Sequence, residues 1–301
     1  MSKPYHIPVL LQDSIEGLNI KPEGVYVDVT FGGGGHSRAI LKQLNDKGKL
    51  FAFDQDPDAK ENVPEDDRFE LIEENFEFMK NFLRERGIKE VDGILADLGV
   101  SSHQFDVPIR GFSIRFDAPL DMRMNQKGNM TASKLLNSYE EEQLSRIFWE
   151  FGDLKNARAI ARKIVQGRVD VKIKTVFELK DLLNELAPRG KENQFFAKVF
   201  QALRIEVNRE LEVLKTFLER ATEILKVEGR LVVISYHSLE DRLVKNYIRS
   251  GDMKGKVEKD FYGNAVRPLK PIMSKAIQAD EKEIENNSRA RSARLRIAEK
   301  L

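Results

Sequence analysis

Residues 26–37 read Tyr26-Val-Asp-Val-Thr-Phe-Gly-Gly-Gly-Gly-His-Ser37, and this stretch decides the fold. Val25 to Val29 is β-branched and apolar, the composition of a short buried strand, and it runs through four glycines into a helical pattern from His36 to Leu44. Strand, glycine turn and helix together make a ligand-binding unit. Glycine allows positive φ and brings bare N–H groups close to a ligand at the start of a helix. A turn that bound nothing would not need four glycines, because each adds backbone entropy that folding must remove. The next apolar run, Lys49-Leu-Phe-Ala-Phe-Asp54, ends in a carboxylate 20 residues after Gly34. Nucleotide-binding folds place the acid that takes ribose hydroxyls at this spacing, so Asp54 is the expected ribose ligand, with Asp56 or Asp58 left to cap the next helix.

Strands and helices continue to alternate outward from that unit. Ile7 to Leu18 has a helical pattern before the first strand, Phe69 to Ile72 is a third strand, Phe76 to Arg86 a helix and Val91 to Asp97 a fourth strand. Such alternation implies a parallel, doubly wound sheet whose ligands gather at the carboxyl ends of its strands. Gly32 to His36, Asp54, the segment after Ile72 and Asp97 are therefore expected to converge. Phe76 is placed either to lie on an adenine ring or to anchor its own helix in the core.

After Asp97 the alternation stops. A turn-rich stretch from Arg110 to Met124 leads into helical patterns at 140–151, 156–166, 176–186 and from 192 onward. Residues 109–208 are expected to form a helical domain inserted into the α/β domain, 1–108 and 209–301. The α/β pattern resumes with an amphipathic helix over 211–225 and a buried strand over 229–237. Residues 254–275 read as a basic, proline-containing surface loop. Ser288 to Ile297 alternates arginine with small or apolar residues, as a last strand with an arginine face would.

Composition limits the chemistry. The 301 residues are 41% hydrophobic, enough for one large domain carrying a smaller one. There is no cysteine, and four scattered histidines lack metal-ligand spacing, so a metal-independent site is expected. Met1 to His6 contains no apolar signal region, and no apolar run approaches the ~20 residues that span a bilayer. A cytoplasmic protein with no membrane partner is expected. The net charge of +1 hides an asymmetry: residues 1–108 hold 12 basic and 21 acidic side chains, the remainder 38 and 28. The basic excess suits an anionic partner, nucleic acid being the commonest.

Six blocks fall in order along the chain: Thr30-Phe-Gly-Gly-Gly-Gly-His-Ser37, Asp54-Gln-Asp-Pro57, Asp97-Leu-Gly-Val-Ser-Ser102, Pro119-Leu-Asp-Met-Arg-Met124, Ser235-Tyr-His-Ser-Leu-Glu-Asp-Arg242 and Arg289-Ala-Arg-Ser-Ala-Arg-Leu-Arg296. Together they closely resemble the bacterial ribosomal RNA small-subunit methyltransferase H family, formerly MraW. That resemblance implies a class I S-adenosylmethionine-dependent methyltransferase fold, Rossmann-like, with an all-helical insert, and the insert is the expected RNA-recognition domain. It implies S-adenosylmethionine as cofactor and methylation of the N4 amino group of a cytidine in the decoding region of 16S ribosomal RNA. By the same resemblance Gly34, Gly35 and His36 match the loop on the methionine side, Asp54 the ribose acid, Phe76 the adenine contact, and Asp97 and Gln104 the remaining cofactor positions.

Amino-group methyltransferases commonly carry Asp/Asn/Ser-Pro-Pro-aromatic after the fourth strand, and this chain has Asp97-Leu-Gly-Val100 instead. An aromatic platform for the cytosine must come from elsewhere, with Phe112, Tyr236 and His237 as candidates. Asp97 is the expected catalytic residue, accepting the hydrogens of the amine. Two other readings fit the same residues: a dinucleotide-dependent dehydrogenase, since Gly32-x-Gly34-x-x-Ser37 nearly matches that fingerprint, and an RNA-binding assembly factor with a vestigial pocket. Arg110, Arg115, Arg123, Arg289, Arg291, Arg294 and Arg296 are the expected phosphate contacts.

Overall fold

The computed structural model describes residues 8–301 apart from Asn264. Ile7 and the extreme N-terminus lie outside the described residues. The chain forms two compact units, one running to Gly99 and resuming at Leu211–Leu301, the other comprising Val100–Glu210.

The first unit is built on β1 (Val25–Asp28), β2 (Lys49–Phe53), β3 (Phe69–Ile72), β4 (Val91–Asp97) and β5 (Leu225–Ser235), all paired in parallel. A small antiparallel pair, β6 (Glu258–Lys259) and β7 (Ala265–Val266), stands apart. The strands β8 (Leu269–Pro271) and β9 (Arg294–Lys300) complete a seven-stranded sheet in the order β3-β2-β1-β4-β5-β9-β8, with β9 antiparallel to both neighbours. The order reverses at β1, which pairs with both β2 and β4, and a doubly wound sheet opens its ligand crevice at that point.

Period-two alternation sends side chains to both faces. Val27, Ile94, Ala96, Leu231 and Val233 pack with Leu214, Phe217, Leu218 and Ala221 of the helix Glu210–Ile224. Tyr26, Leu95, Val232 and Ile234 face the other way, against Ile15, Leu18, Ile40 and Leu41. A fully buried ring such as Phe217 stabilises the fold by about 1.5–3 kcal/mol, so both faces must be covered.

Several elements differ from the sequence expectation. The first helix begins only at Leu11, because Leu10 takes φ 51°. β5 starts at Leu225, directly after the preceding helix, and Glu228 at φ 64° falls inside it. Part of the expected loop 254–275 is strand: Leu269 is fully buried and β8 pairs with β9. The arginine face does not form. Residues Ser288–Ser292 make a 3-10 turn, Arg291 is exposed outside the strand, and Arg296 is drawn into a two-point bond with Asp241 at 2.7 and 3.1 Å.

The second unit packs the helices Ala132–Ser138, Glu141–Glu150, Ala157–Asp170, Val176–Leu183 and Glu192–Val207 around Leu135, Leu144, Ile147, Phe148, Ile160, Leu179 and Leu203. The helix Ala132–Ser138 was hidden by its length. Its signal is Thr131, whose hydroxyl accepts the N–H of Lys134 at 3.1 Å, a cap worth about 1 kcal/mol. The unit begins at Val100 rather than 109, since Val100 and Phe105 pack on its core.

Candidate active site

Asp28, a charged residue in a buried strand, clamps the glycine loop at both ends. Its Oδ1 accepts the N–H of Thr30 at 3.1 Å and its Oδ2 the hydroxyl of Ser37 at 2.7 Å. Burial pushes its carboxyl up, while these hydrogen bonds oppose the rise. From outside, Arg38 donates to the carbonyls of Gly33 and Asn62, both at 2.7 Å, and Asn62 donates to the carbonyl of Gly32 at 3.1 Å. The loop is therefore rigid despite its composition. Asp28 escaped the sequence reading, although an acid among apolar strand residues was a legible signal.

The glycines are not interchangeable. Gly34 has φ 73°, and a Cβ there would come within 2.8 Å of Arg38 Nη1 and 2.9 Å of the Phe31 ring. A Cβ on Gly35 would lie 2.2 Å from Pro8 Cγ. A Cβ on Gly33 would meet nothing within 4 Å, so that side of the loop faces open space.

Asp54 sits just past β2 and ties that strand to the loop: its Oδ2 accepts the N–H of Gly32 at 2.8 Å and its Oδ1 that of Asp56 at 2.8 Å. Burial raises its pKa to about 6 against those two amide bonds. Asp97 ends β4. Its N–H donates to Thr30 Oγ1 at 2.6 Å, which fixes the strand end to the loop, and its Oδ1 accepts the hydroxyl of Tyr236 at 2.7 Å. Burial raises Asp97 to about 7, the Tyr236 bond opposes this, and Asp28 and Glu240 add to it. His36 Nδ1 lies 3.9 Å from Asp97 Oδ2. Burial lowers His36 to about 4, so the ring is neutral near pH 7 and the contact is not an ion pair. His36 Nε2 is buried without a hydrogen-bond partner among the described residues.

The structure thus joins Gly34, His36, Asp54 and Asp97 through Thr30 and Gly32. Phe76 is half-buried, and its ring meets Phe217 edge-on at 5.3 Å, the geometry of an anchor for the segment after β3. Gln104 belongs to the helical unit, where it is buried and closes a capping box: its Oε1 accepts the Ser101 N–H at 3.1 Å, and its own N–H donates to Ser101 Oγ at 3.2 Å. Phe112 is in the core of that unit. His237 caps the helix Ser238–Ser250, and its Nε2 faces Glu240 Oε1 at 3.0 Å. Of the three aromatic candidates for a base platform, Phe112 and His237 are packed away and Tyr236 holds Asp97.

The phosphate-contact residues also divide. Arg110 is buried and donates to the carbonyls of Arg123 and Met124 at 3.0 and 3.2 Å, and Arg123 is bound to Asp121 at 2.6 and 2.7 Å. Arg115, Arg291 and Arg294 are exposed.

An acid of near-neutral pKa beside a buried imidazole and a glycine loop open to space makes a site able to hold a nucleoside-like ligand and accept a proton. No described helix is long and apolar enough to cross a membrane.

Residues 3–301 match the profile of the MraW methylase family. The ribosomal RNA small subunit methyltransferase H of Flavobacterium johnsoniae is 60% identical over 297 residues, covering 99% of this chain and 98% of that protein. Its namesake from Cytophaga hutchinsonii is 56% identical, covering 98% of this chain and 99% of that protein. A crystal structure of an rRNA methylase from Streptococcus thermophilus aligns at a TM-score of 0.43 and 14% identity, over 100% of this chain and 98% of that one. Matched by that profile almost from end to end and by relatives sharing more than half of its residues, the chain belongs to the MraW methylase family.

Proposed function

We propose that this protein methylates the N4 amino group of one cytidine in the decoding region of 16S ribosomal RNA, within the small ribosomal subunit. S-adenosylmethionine is its cofactor. The family and the names of its relatives support ribosomal RNA as the substrate class. The amine and its position rest on the family resemblance and on Asp97, and the protein is taken to work in the cytoplasm, where the subunit is made.

The residues fit the cofactor. Gly34, Gly35 and His36 would hold its methionine portion, with the orphaned His36 Nε2 available to a polar group. Asp54 would take the ribose, because each carboxylate oxygen keeps a lone pair beyond its amide bond. Phe76, anchored on Phe217 but only half-buried, would flank the adenine with the part of its ring left uncovered. Bound there, S-adenosylmethionine supplies a methyl group made electrophilic by its sulfonium.

The observation that carries the reading is Asp97. An exocyclic amine is a poor nucleophile, since its lone pair is delocalised into the ring. A carboxylate that accepts its N–H groups turns the lone pair out of conjugation and then takes the surplus proton as the new C–N bond forms. A pKa near 7 suits both duties, and Tyr236 fixes the orientation of the carboxylate. The chain has no cysteine to attack the ring, so the reaction runs without a covalent base adduct. The base must be unpaired or turned out of its helix to reach Asp97.

The test uses small subunits from cells lacking the protein, incubated with purified enzyme and isotopically labelled S-adenosylmethionine. Nucleoside mass spectrometry should find the label in N4-methylated cytidine at one position of the 16S RNA. Label on a ring carbon, or on another nucleoside, would overturn the assignment.

A further inference from the structure

The basic segment between Gly251 and Pro268 takes no part in the site described above. Within it β6 and β7 pair as Glu258↔Val266 and Lys259↔Ala265, outside the main sheet. Two hydrogen bonds shape the chain just after β6. Asp260 Oδ1 accepts the N–H of Tyr262 at 2.9 Å, the Asp260 carbonyl accepts that of Gly263 at 3.0 Å, and Gly263 takes φ 87°. The turn holds two aromatic rings in solvent: Phe261 is 98% exposed and Tyr262 86%, edge to face at 5.6 Å. Lys254, Lys256 and Lys259 of the segment are exposed, as are Glu258 and Asp260, while Asp252 is half-buried and its carboxylate accepts the N–H groups of Lys254 and Lys256, both at 2.9 Å.

A two-stranded hairpin is marginal in water, and rings left in solvent do nothing for its stability. Exposed rings among lysines are the combination that binds unpaired nucleic acid, the rings stacking on base faces and the ammonium groups meeting phosphates. We propose that this hairpin is a second RNA contact, in which Phe261 and Tyr262 stack on unpaired bases of the ribosomal RNA substrate and the neighbouring lysines engage its phosphates. The proposal rests on ribosomal RNA being the substrate.

The sheet register gives the contact its place. A Cβ on Gly251 would lie 2.7 Å from Pro268 Cδ, so the two ends of the segment meet. β8 then starts opposite Lys300 of β9, whereas Arg294 of β9 pairs with Ser235 at the carboxyl end of β5. The six steps from 294 to 300 span about 20 Å. The hairpin therefore springs from the end of the sheet opposite the one that carries Asp97. It anchors RNA flanking the target and contributes to affinity rather than to chemistry.

The experiment compares the wild type with Phe261→Ala/Tyr262→Ala and Phe261→Trp/Tyr262→Phe, on protein-free 16S RNA and on unmethylated small subunits. The double alanine variant should raise KM for RNA about ten- to a hundredfold, with kcat at saturating RNA, S-adenosylmethionine affinity and thermal midpoint unchanged. The aromatic variant should restore KM to within a few-fold of wild type. An unchanged KM with protein-free RNA and with subunits overturns the proposal. A loss seen with subunits and not with protein-free RNA also overturns it, and assigns the rings to a ribosomal protein. Were the wild type to methylate neither substrate, the proposed reaction would fail first, and filter binding of 16S RNA by the same variants would still decide the role of the hairpin.

Discussion

The carboxyl end of the sheet and the helical unit treat buried charge in opposite ways. At the sheet end Asp28, Asp54 and Asp97 are all raised by burial, and their hydrogen-bond donors are hydroxyls and backbone amides. In the helical unit burial is again the largest single influence on Asp121, but the guanidinium and backbone N–H bonds from Arg123 and the charges of Arg123 and Arg110 together outweigh it and hold the acid below its ordinary range. Among the described residues, only Gln104 and Arg110 are buried polar side chains of that unit, and each is used in holding backbone. Neutralised charge stabilises a scaffold, whereas acids left without a cation remain available to a ligand or a proton.

The sharpest test of this contrast is Asp97→Asn, which should lower the methyl-transfer rate about 10²–10⁴-fold while largely sparing cofactor affinity. The same change should stabilise the protein at pH 8. The folded pKa of Asp97 is raised, so its contribution to stability is complete below the unfolded value of about 3.9 and is lost as pH rises through about 7. Near-wild-type turnover, or a thermal midpoint lowered at pH 8, would break the comparison.

Gly34 and Gly190 carry the second test, because they share a backbone conformation, φ 73° and 74°, in different units. Valine at either position pays about 1–2 kcal/mol for left-handed backbone. Only Gly34→Val should abolish S-adenosylmethionine binding in calorimetry, since its Cβ meets Arg38 and Phe31 whereas Gly190 faces open space. Equal loss from both would mean that the loop serves folding alone.

A smaller effect is expected for Asp54→Asn, which keeps shape and removes charge. Its S-adenosylmethionine affinity should fall about ten- to a hundredfold, the 1.5–3 kcal/mol of a charged hydrogen bond. Unchanged affinity by calorimetry would remove Asp54 from the site.

Tyr236→Phe should shift rather than abolish activity. The lost hydroxyl favours the ionised form of Asp97, so the acid limb of kcat/KM, near pH 7 in the wild type, should move upward. A few-fold loss at pH 7 that recovers by pH 9 is expected, and a pH-independent loss would give Tyr236 a different task.

The least effect belongs to Asp121→Asn in the helical unit, where the depressed pKa reverses the sign seen at Asp97. Its stabilisation is present above about pH 3.9 and is lost as pH falls through the folded value, so the variant should be less stable at pH 7 by about 1 kcal/mol or less and equal to wild type in strong acid. Denaturant titrations at the two pH values would show it, and a variant stabilised at pH 7 would erase the distinction between the units.

Much of this molecule is written locally. Val25–Val29, the glycine run and the apolar strands ending at Asp54 and Asp97 announce a doubly wound sheet, because strand alternation and glycine turns are properties of neighbours in sequence. The six ordered blocks carried the family, the cofactor and most of the candidate site residues. Short elements were lost: Ala132–Ser138 is too brief for its period to show, and β8 reads as loop until β9 pairs with it.

Partnership was decided only by the tertiary structure. Nothing near Asp97 in sequence names Tyr236, 139 residues away, as its hydrogen-bond donor, and nothing near Arg296 names Asp241. Arginines that look alike in the sequence are separated by the fold into those held by carbonyls or carboxylates and those left in solvent. The pKa values of Asp54, Asp97 and His36 follow the same rule, since desolvation depends on what the rest of the chain packs around a group and not on its sequence neighbours. Sequence determined which elements form and which chemistry is present, through local periodicity and residue type. Packing decided which of those residues remain free to act, because burial and hydrogen bonding are made between segments far apart in the chain.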